Sequence, residues 1–371
     1  MRVGTVKEIK RHEYRVGLTP HCVRRYVAHG HEVLIEAAAG EGTGYPDSEY
    51  ADAGAAIVSS REEVFAGADM VVKVKEPQPD ECALLRENQI LYTYLHLAPA
   101  PELAQALLDH KVSGVAYETI EEDNGLLPCL KPMSEIAGRL SIQEGAKYLE
   151  KPYGGRGVLL GGVPGVRRGR IVIIGAGTVG INACKIAVGI GADVTILDIS
   201  AERLAYMDDI FGTRINTLYS TASNLETAVA EADVVVGAVL ITGGSAPKLI
   251  TREHLDIMKP GAVIVDVAVD QGGCCETTRA TSHDDPVFTE AGIVHYCVAN
   301  MPGVVALTST LALTSTTLGH GIAIADLGLE EACRRSAPLA RGVNTYGGQC
   351  VHPRVAESLG LPCADLMQVL R

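Results

Sequence analysis

The chain has 371 residues, 47% of them hydrophobic and 21% charged, and its net charge is −13. This length and composition are typical of a folded protein with about two domains. The excess of acidic residues argues against a nucleic acid or an anionic membrane as its main partner, because both require clustered Lys and Arg. Forty glycines and an aromatic content of only 4% favour an α/β protein with many tight turns between strands and helices.

We expect a cytoplasmic protein. The N-terminus opens directly on a strand-like run, without the charged head, apolar stretch and cleavage site of a secretory leader. The longest nearly uncharged stretch, between Glu290 and Asp326, contains Thr, Ser, Gly and Pro and falls short of the apolar run of a membrane helix. The ten cysteines lack a CxxC pair, so we expect reduced and mostly buried thiols and no metal cluster.

Strand and helix signals alternate through the first third, which indicates parallel βαβ units. Thr19 followed by Pro20 marks the start of a helix that runs to Gly30, and a second helix is predicted over Pro101–His110. The predicted strands of this region are Arg2–Val6, Glu32–Glu36, Asp69–Val74, Ile90–Leu95 and Gly114–Glu118.

A second alternation follows a predicted long helix over Ser134–Glu150, with Ser134 as its candidate N-cap, and a glycine-rich stretch over Tyr153–Gly169. After Pro302 the chain turns Thr-rich and is then predicted to be helical to its end. We therefore predict two Rossmann-like domains with parallel sheets, the C-terminal segment packing back onto the first. The predicted strands of the second domain are Arg170–Ile174, Asp193–Asp198, Val234–Leu240, Ala262–Val269 and Ile293–Val298.

A dinucleotide-binding pattern lies at the start of this second alternation. Strand Arg170–Ile174 leads into Gly175-Ala176-Gly177-Thr178-Val179-Gly180, a helix over Ile181–Ile190, and a strand that ends at Asp198. In this pattern Gly175 permits the turn, Gly177 admits the pyrophosphate and Gly180 lets the helix pack closely, while the helix N-terminus attracts phosphate. Asp198 stands where a carboxylate binds a ribose hydroxyl, which favours NAD over NADP, although Arg203 weakens an NAD-only interpretation.

Four candidate catalytic residues follow predicted strands, where ligands bind in open α/β sheets. They are Arg15, Lys75, His96 and Asp270. Arg binds a carboxylate through two parallel hydrogen bonds, Lys polarises a ketone oxygen, and His passes a proton near neutral pH. Asp can orient the His, assist water or ammonia, or stabilise an iminium. Beside a nicotinamide, this set indicates redox chemistry at the carbon next to a carboxylate.

Each of the four also has a purely structural explanation. Arg15 could be a solvated loop charge, Lys75 could form a surface pair with the neighbouring Glu76, His96 could be a core histidine, and Asp270 could cap a turn. Elsewhere, three consecutive residues at 283–285 rarely converge on a metal, and no GxSxG elbow supports a hydrolase triad.

Several segments, in order along nearly the whole chain, resemble the alanine dehydrogenase family. The resemblance is far more specific than the glycine pattern alone. The segments are Val6–Glu8, Glu13–Val16, Lys73–Pro77, Tyr94–Ala98, Pro132–Gly138, Gly175–Gly180, Asp266–Gly273, Asn300–Gly303 and Gly342–Asn344.

The resemblance implies a substrate domain over 1–133 plus 304–371 and an NAD-binding domain over 134–303. It implies the reversible conversion of L-alanine, NAD⁺ and water to pyruvate, ammonium and NADH, usually in a homohexamer. Arg15 and Lys75 are implied to bind substrate, with His96 and Asp270 in proton transfer. The residues expected to bind NAD are Ser134, Gly175, Gly177, Thr178, Val179, Gly180, Asp198, Arg203, Ser220, Val239, Leu240, Val267, Ala268, Val269, Asp270, Arg279, Val298, Ala299, Asn300 and Met301.

Two stretches depart from the family pattern, Val304–Thr310 and Gln349–Val351, and both lie outside the proposed chemistry. Two alternatives stay open. The first is the NAD-binding subunit of a proton-translocating transhydrogenase, which has no need of Arg15, Lys75 and His96 as a substrate set. The second is an NAD-responsive binding module without turnover.

Overall fold

A computed structural model describes residues 1–239 and 246–370 of the chain. These residues form two compact units: unit 1 comprises Met1–Met133 with Gly303–Arg371, and unit 2 comprises Ser134–Pro302. Gly303 thus belongs to the first unit, one residue before the boundary predicted from the sequence.

The strands of the described residues follow in chain order. They are β1 (Arg2–Thr5), β2 (Glu32–Glu36), β3 (Ala56–Val58), β4 (Met70–Val72), β5 (Ile90–Thr93), β6 (Ser113–Ala116), β7 (Arg170–Ile174), β8 (Asp193–Asp198), β9 (Asn216–Tyr219), β10 (Val234–Gly237), β11 (Val263–Asp266), β12 (Val287–Glu290), β13 (Ile293–Tyr296), β14 (Val343–Tyr346) and β15 (Gln349–Cys350).

The helices connect these strands. They are α1 (Pro20–Ala28), α2 (Asp47–Asp52), α3 (Arg61–Gly67), α4 (Pro79–Cys82), α5 (Pro101–Asp109), α6 (Lys131–Tyr148), α7 (Thr178–Gly189), α8 (Ala201–Phe211), α9 (Ala222–Glu231), α10 (Arg252–Ile257), α11 (Ala306–Leu327), α12 (Leu329–Arg335), α13 (Ala337–Gly342), α14 (Pro353–Leu359) and α15 (Leu366–Val369). The predicted cap of α1 is confirmed, since Cys22 N donates to Thr19 Oγ1 at 3.3 Å.

Unit 1 is built on a sheet with the strand order β15-β14-β6-β5-β4-β1-β2-β3. Its pairs are parallel except at β14, which runs antiparallel to both β6 and β15. Every residue of β4 and β5 is buried, as expected for strands covered on both faces. The strand order reverses between β1 and β4, which makes the carboxyl ends of these strands the expected ligand-binding position.

Unit 2 repeats this arrangement in the order β12-β13-β11-β10-β7-β8-β9, with only the edge pair β12–β13 antiparallel. Its order reverses between β7 and β10, so the glycine pattern after β7 lies at the switch point. The predicted fold class, two Rossmann-like units with largely parallel sheets, is confirmed. The predicted return of the C-terminal segment to the first unit is also confirmed, through the pairing of β14 with β6.

Some predicted boundaries are wrong. Helix α6 begins at Lys131, so Ser134 lies inside the helix and is not its N-cap. Helix α7 begins at Thr178, directly after the glycine turn, rather than at Ile181. Strands β10 and β11 end several residues early. The chain after Pro302 is not helical throughout, because β14 and β15 interrupt it.

The segment Met301–Leu327 is long and apolar enough to cross a membrane by length and composition. The prediction that this stretch falls short of the apolar run of a membrane helix is therefore wrong. Its helical part, α11, buries ten residues, and Tyr92 Oη donates to Thr317 O at 3.0 Å. The close approach of Tyr26 Oη to Gly321 leaves no room for a larger side chain there. A buried core helix meets the same length and composition criteria, and these contacts are those of a core helix of unit 1.

Candidate functional site

The glycine turn of unit 2 has the geometry that a dinucleotide requires. Gly175 has a φ of 104°, and a Cβ there would lie 2.7 Å from Ala238 O. A Cβ on Gly180 would lie 1.8 Å from Gly175 O, so only glycine lets α7 pack against this turn. A Cβ on Gly177, the N-cap of α7, would meet nothing within 4 Å. The turn therefore leaves open space in front of a helix N-terminus, which suits a pyrophosphate.

Asp198 ends β8 beside this turn and is 5% exposed. Its Oδ2 accepts from Ala176 N at 2.6 Å, and its Oδ1 accepts from Ser200 N at 2.8 Å. The exposed Arg203 places Nη1 3.7 Å from Asp198 Oδ2. The carboxylate thus holds the glycine turn in place, and its remaining lone pairs can accept from a ribose hydroxyl.

Most other residues expected to bind NAD lie just beyond strands of the same sheet. Val239 follows β10, and its Cγ2 would be 3.3 Å from a Cβ on Gly175. Ser220 N donates to Asp198 O at 3.0 Å, and Val267 N donates to Gly237 O at 3.0 Å. Thr178 and Val179 open α7, Ala268 and Val269 follow β11, and Val298, Ala299, Asn300 and Met301 follow β13.

Three of the expected cofactor residues stand apart from this pattern. Ser134 lies in the first turn of α6. Arg279 is exposed, with its guanidinium carbon 4.2 Å from the centre of the Phe288 ring. Leu240 lies outside the described residues.

Asp270 does not directly follow a strand, contrary to the sequence prediction. It lies in a 3₁₀ turn over Val269–Gln271, is exposed, and comes four residues after the end of β11. The strand ends instead at Asp266, which is fully buried. Asp266 Oδ2 accepts from Cys274 N at 2.9 Å and from the hydroxyl of Thr278, so Asp266 organises the loop that carries Asp270.

In unit 1, Arg15 lies in the loop after β1 and is 2% exposed, which rules out a solvated surface charge. Its Nε and Nη2 donate to Glu13 Oε1 and Oε2 at 2.6 and 2.5 Å, and its Nη1 donates to Met133 Sδ at 3.1 Å. Burial opposes the charge, but the hydrogen bonds and charge of Glu13 outweigh it and raise the pKa of Arg15. Glu13 thus holds the guanidinium of Arg15 in a fixed orientation from its Nε–Nη2 side.

Lys75 follows β4 and is partly buried. Among the residues that the structure describes, its ammonium has no hydrogen-bond or ion-pair partner. Burial, reinforced by the charge of Arg15, lowers its pKa. The alternative explanation of Lys75, a surface pair with Glu76, is not seen among the described residues, where Glu76 pairs with Lys10. A cation in these surroundings is available to a ligand oxygen.

A buried group of three charges supports the backbone at Lys75, and sequence reasoning missed it. Lys73 Nζ lies 3.1 Å from Glu8 Oε2 and 2.8 Å from Glu81 Oε1, and all three side chains are at most 2% exposed. Glu8 Oε1 accepts from Val74 N at 2.6 Å and from Lys75 N at 3.3 Å. The only sequence signal was that Glu8 and Lys73 fall in family-like segments.

His96 comes three residues after the end of β5, and its φ of 47° is unusual for a residue other than glycine. Its side chain is 43% exposed, so it is not a core histidine. The ring stacks on Tyr94 with centroids 5.7 Å apart and planes 7° apart. Glu118 accepts from His96 N at 2.6 Å and from Leu95 N at 3.2 Å, which fixes the backbone that presents the imidazole.

Arg15, Lys75 and His96 therefore all follow strands at the carboxyl edge of the unit 1 sheet. Burial and the charge of Arg15 lower the pKa of Lys75. Burial raises the pKa of Tyr94, on which His96 stacks, and the charge of Arg15 opposes that rise. The three candidates therefore share one neighbourhood.

A cavity of 680 Å³ in unit 2 lies elsewhere: Arg170 and Asp193, which begin β7 and β8, line it. This cavity lies at the opposite edge of the sheet from the glycine turn and is therefore separate from the candidate site. Within the described ranges, no group of side chains is suited to a metal ion.

Two family models together match most of the chain. Residues 4–137 match the family model "Alanine dehydrogenase/PNT, N-terminal domain", and residues 141–353 match "Alanine dehydrogenase/PNT, C-terminal domain". An alanine dehydrogenase of Methanococcus maripaludis is 53% identical over 98% of this chain and 97% of its own length.

Solved structures give the same result. An L-alanine dehydrogenase superposes with a TM-score of 0.95 at 50% identity, covering 97% of this chain and 99% of its own. A transhydrogenase from Sinorhizobium meliloti superposes with a TM-score of 0.80 at 25% identity, covering 95% and 99%. The chain is a member of the alanine dehydrogenase/PNT family.

Proposed function

We propose that the protein is an NAD-dependent alanine dehydrogenase, which converts L-alanine, NAD⁺ and water to pyruvate, ammonium and NADH in a reversible reaction. The observation that carries the proposal is the placement of Arg15, Lys75 and His96 along one edge of the unit 1 sheet. Full-length similarity to alanine dehydrogenases supports it.

The described residues of unit 2 fit NAD as the cofactor. The open space at Gly177 and the N-terminus of α7 suit its pyrophosphate, and Asp198 suits the hydroxyls of the adenosine ribose. A 2′-phosphate would meet the Asp198 carboxylate, which favours NAD over NADP. When bound, NAD⁺ supplies the hydride acceptor for substrate oxidation.

The protein's own residues account for binding and proton transfer. Arg15, held rigidly by Glu13, binds the substrate carboxylate, and the Lys75 ammonium donates to the carbonyl oxygen of the 2-oxo acid. His96 carries the proton to and from that oxygen. Asp270 assists the water or ammonia and stabilises positive charge on the substrate nitrogen.

The proposed assembly follows from the family resemblance. We propose a homohexamer in the cytoplasm, acting on small molecules and not on nucleic acid or membranes. Size-exclusion chromatography with light scattering measures the assembly directly.

An absorbance assay for NADH tests the reaction. Purified protein should reduce NAD⁺ with L-alanine and should oxidise NADH only when pyruvate and ammonium are both present. A panel of other small L-amino acids measures the strictness of substrate choice. NAD binding without turnover would favour a binding module, and turnover only with a partner transhydrogenase component would favour the transhydrogenase alternative.

A further inference from the structure

Two cysteines of unit 1 lie opposite each other in a bridge between β15 and the segment that follows α14. Cys350 ends β15, the edge strand of the sheet, and pairs with Cys363 in an isolated parallel bridge. Ala364 N donates to Cys350 O at 2.9 Å, which fixes the register of this bridge. The segment around Cys363 thus adds one further pairing outside β15.

This register brings the two thiols within reach of a covalent bond. Paired strands lie about 4.7–4.9 Å apart, and directly opposed residues of a parallel pair project to the same face. A disulfide requires Cα atoms about 4.4–6.8 Å apart. The general spacing of paired strands therefore falls within the Cα separation that a Cys350–Cys363 disulfide needs. All ten cysteines are free thiols in the structure.

The two thiols differ in access to solvent. Cys363 is exposed, whereas Cys350 is 3% exposed within the hydrophobic core of unit 1. Each thiol makes a weak contact, from Cys363 Sγ to Ala364 O at 3.7 Å and from Cys350 Sγ to His352 O at 3.8 Å. Cys363 can thus meet a soluble oxidant, and Cys350 is shielded from it.

We propose that Cys350 and Cys363 form a reversible disulfide in response to peroxide. Peroxide oxidises the Cys363 thiol to a sulfenic acid and releases one water. The Cys350 sulfur then attacks the Cys363 sulfur, forms the S–S bond and releases a second water, so that two thiols lose two electrons and peroxide gains them. A small dithiol or glutathione reverses the step by exchange.

Burial raises the pKa of the Cys350 thiol, with a smaller contribution from Cys363. Cys350 is therefore a poor primary target for peroxide and acts as the resolving thiol. The disulfide closes a loop around α14, whose Val355 and Ala356 are buried, and so ties this part of the C-terminal segment to the edge strand.

Mass spectrometry of the full chain tests the proposal. The reduced protein, after brief exposure to hydrogen peroxide, should lose two of its ten free thiols and about 2 Da of mass. Trypsin should then release peptides 342–354 and 355–371 joined by a disulfide, because Arg341, Arg354 and Arg371 delimit them. Dithiothreitol should separate the two peptides and restore both thiols.

Matched variants identify the pair. Cys363→Ser should abolish the linked peptide, and Cys350→Ser should leave Cys363 to oxidise further or to take up glutathione. Cys82→Ser, which removes a partly buried thiol elsewhere in unit 1, should leave the linkage intact. The proposal is wrong if Cys363 of the unaltered chain is overoxidised without linkage, joins another chain, or stays unmodified when a free cysteine peptide in the same solution is oxidised.

Discussion

Replacing Lys73 with methionine should destabilise the protein strongly, because it removes the only positive charge among three buried ionisable groups. Lys73 is fully buried between Glu8 and Glu81, with its Nζ 3.1 and 2.8 Å from their carboxylates. Methionine keeps an unbranched apolar stem but leaves both carboxylates without their counter-ion. Breaking a buried pair in this way costs about 3–5 kcal/mol, which is a decrease of roughly 10²–10⁴ in the folding equilibrium.

The loss should depend on pH in a defined direction. Burial, opposed by the charge of Lys73, already raises the pKa of Glu8 in the unaltered protein, and removal of that charge raises it further. A carboxyl with a raised pKa stabilises the folded state when it is protonated, and this contribution is lost as the pH rises through the folded-state pKa. The loss in free energy of unfolding caused by Lys73→Met should therefore be largest near pH 8 and should become smaller as the pH falls toward 5.

Urea unfolding followed by circular dichroism measures the effect. With a slope of about 2–3 kcal/mol/M, the midpoint should fall by roughly 1–2.5 M. Lys111→Met is a matched control, because Lys111 forms an ion pair of the same 2.8 Å length with Glu87, but the two side chains are 52% and 60% exposed. That exposed pair contributes at most about 1 kcal/mol. Equal midpoints for the two variants, or a deficit that grows at low pH, would refute this account of the buried group.

The remaining predictions concern the proposed reaction. His96→Ala should lower turnover by about 10²–10⁴-fold, while the affinity for NADH, measured by fluorescence, changes by no more than a few-fold. If the variant keeps more than half of the original rate, His96 has no part in the mechanism. Burial and the charge of Arg15 lower the pKa of Lys75, so kcat/KM should begin to decline below pH 10.5 as the pH rises. Any residual activity of Lys75→Arg should not show this decline, because arginine stays charged. Asp198→Ala should weaken NAD binding and shift the ratio of specificity constants toward NADP by tenfold or more; an unchanged ratio would show that Asp198 only holds the glycine turn.

Local sequence signals predicted much of the fold. Strands β2 and β7 have the predicted bounds, and the Thr19-Pro20 pair marks the start of α1, because these features depend on short apolar runs and on neighbouring residues. Strands β3 and β9 were missed. They are short edge strands without a buried residue, so their hydrophobic pattern is weak.

The C-terminal strands were missed for a different reason. Val343–Tyr346 is a strand because β6 offers it a pairing edge, with Thr345 Oγ1 accepting from Gly114 N at 3.0 Å. More than 200 residues separate these two positions, and no local pattern carries such a partnership. Serine is a favourable N-cap residue, which is why Ser134 was predicted to cap α6. The helix begins three residues earlier, at Lys131.

In the candidate site too, local sequence signals predicted some features, whereas others depend on contacts between distant residues. Sequence order placed Arg15, Lys75 and His96 after strands, and the glycine turn after β7. It could not show that Glu13 holds one side of Arg15, that Glu8 and Lys73 meet below Lys75, or that Glu118 fixes the backbone at His96. These partners are ordinary charged residues whose roles arise from burial and distance, which only the folded chain provides.

The pairing of β14 with β6 also determines when each unit can fold during synthesis. Unit 2 is one continuous stretch, Ser134–Pro302, so all of its strands have been made before the ribosome reaches β14. Strands β1–β6 of unit 1 precede unit 2 in the chain, yet β6 remains an open edge until residues 343–350 emerge. At about 5–20 residues per second, that edge waits roughly ten seconds or more for its partner. The nascent chain therefore passes through a state in which unit 2 is complete and the sheet of unit 1 is not. The exposed edge of β6 is where a chaperone or an aggregation contact would act first.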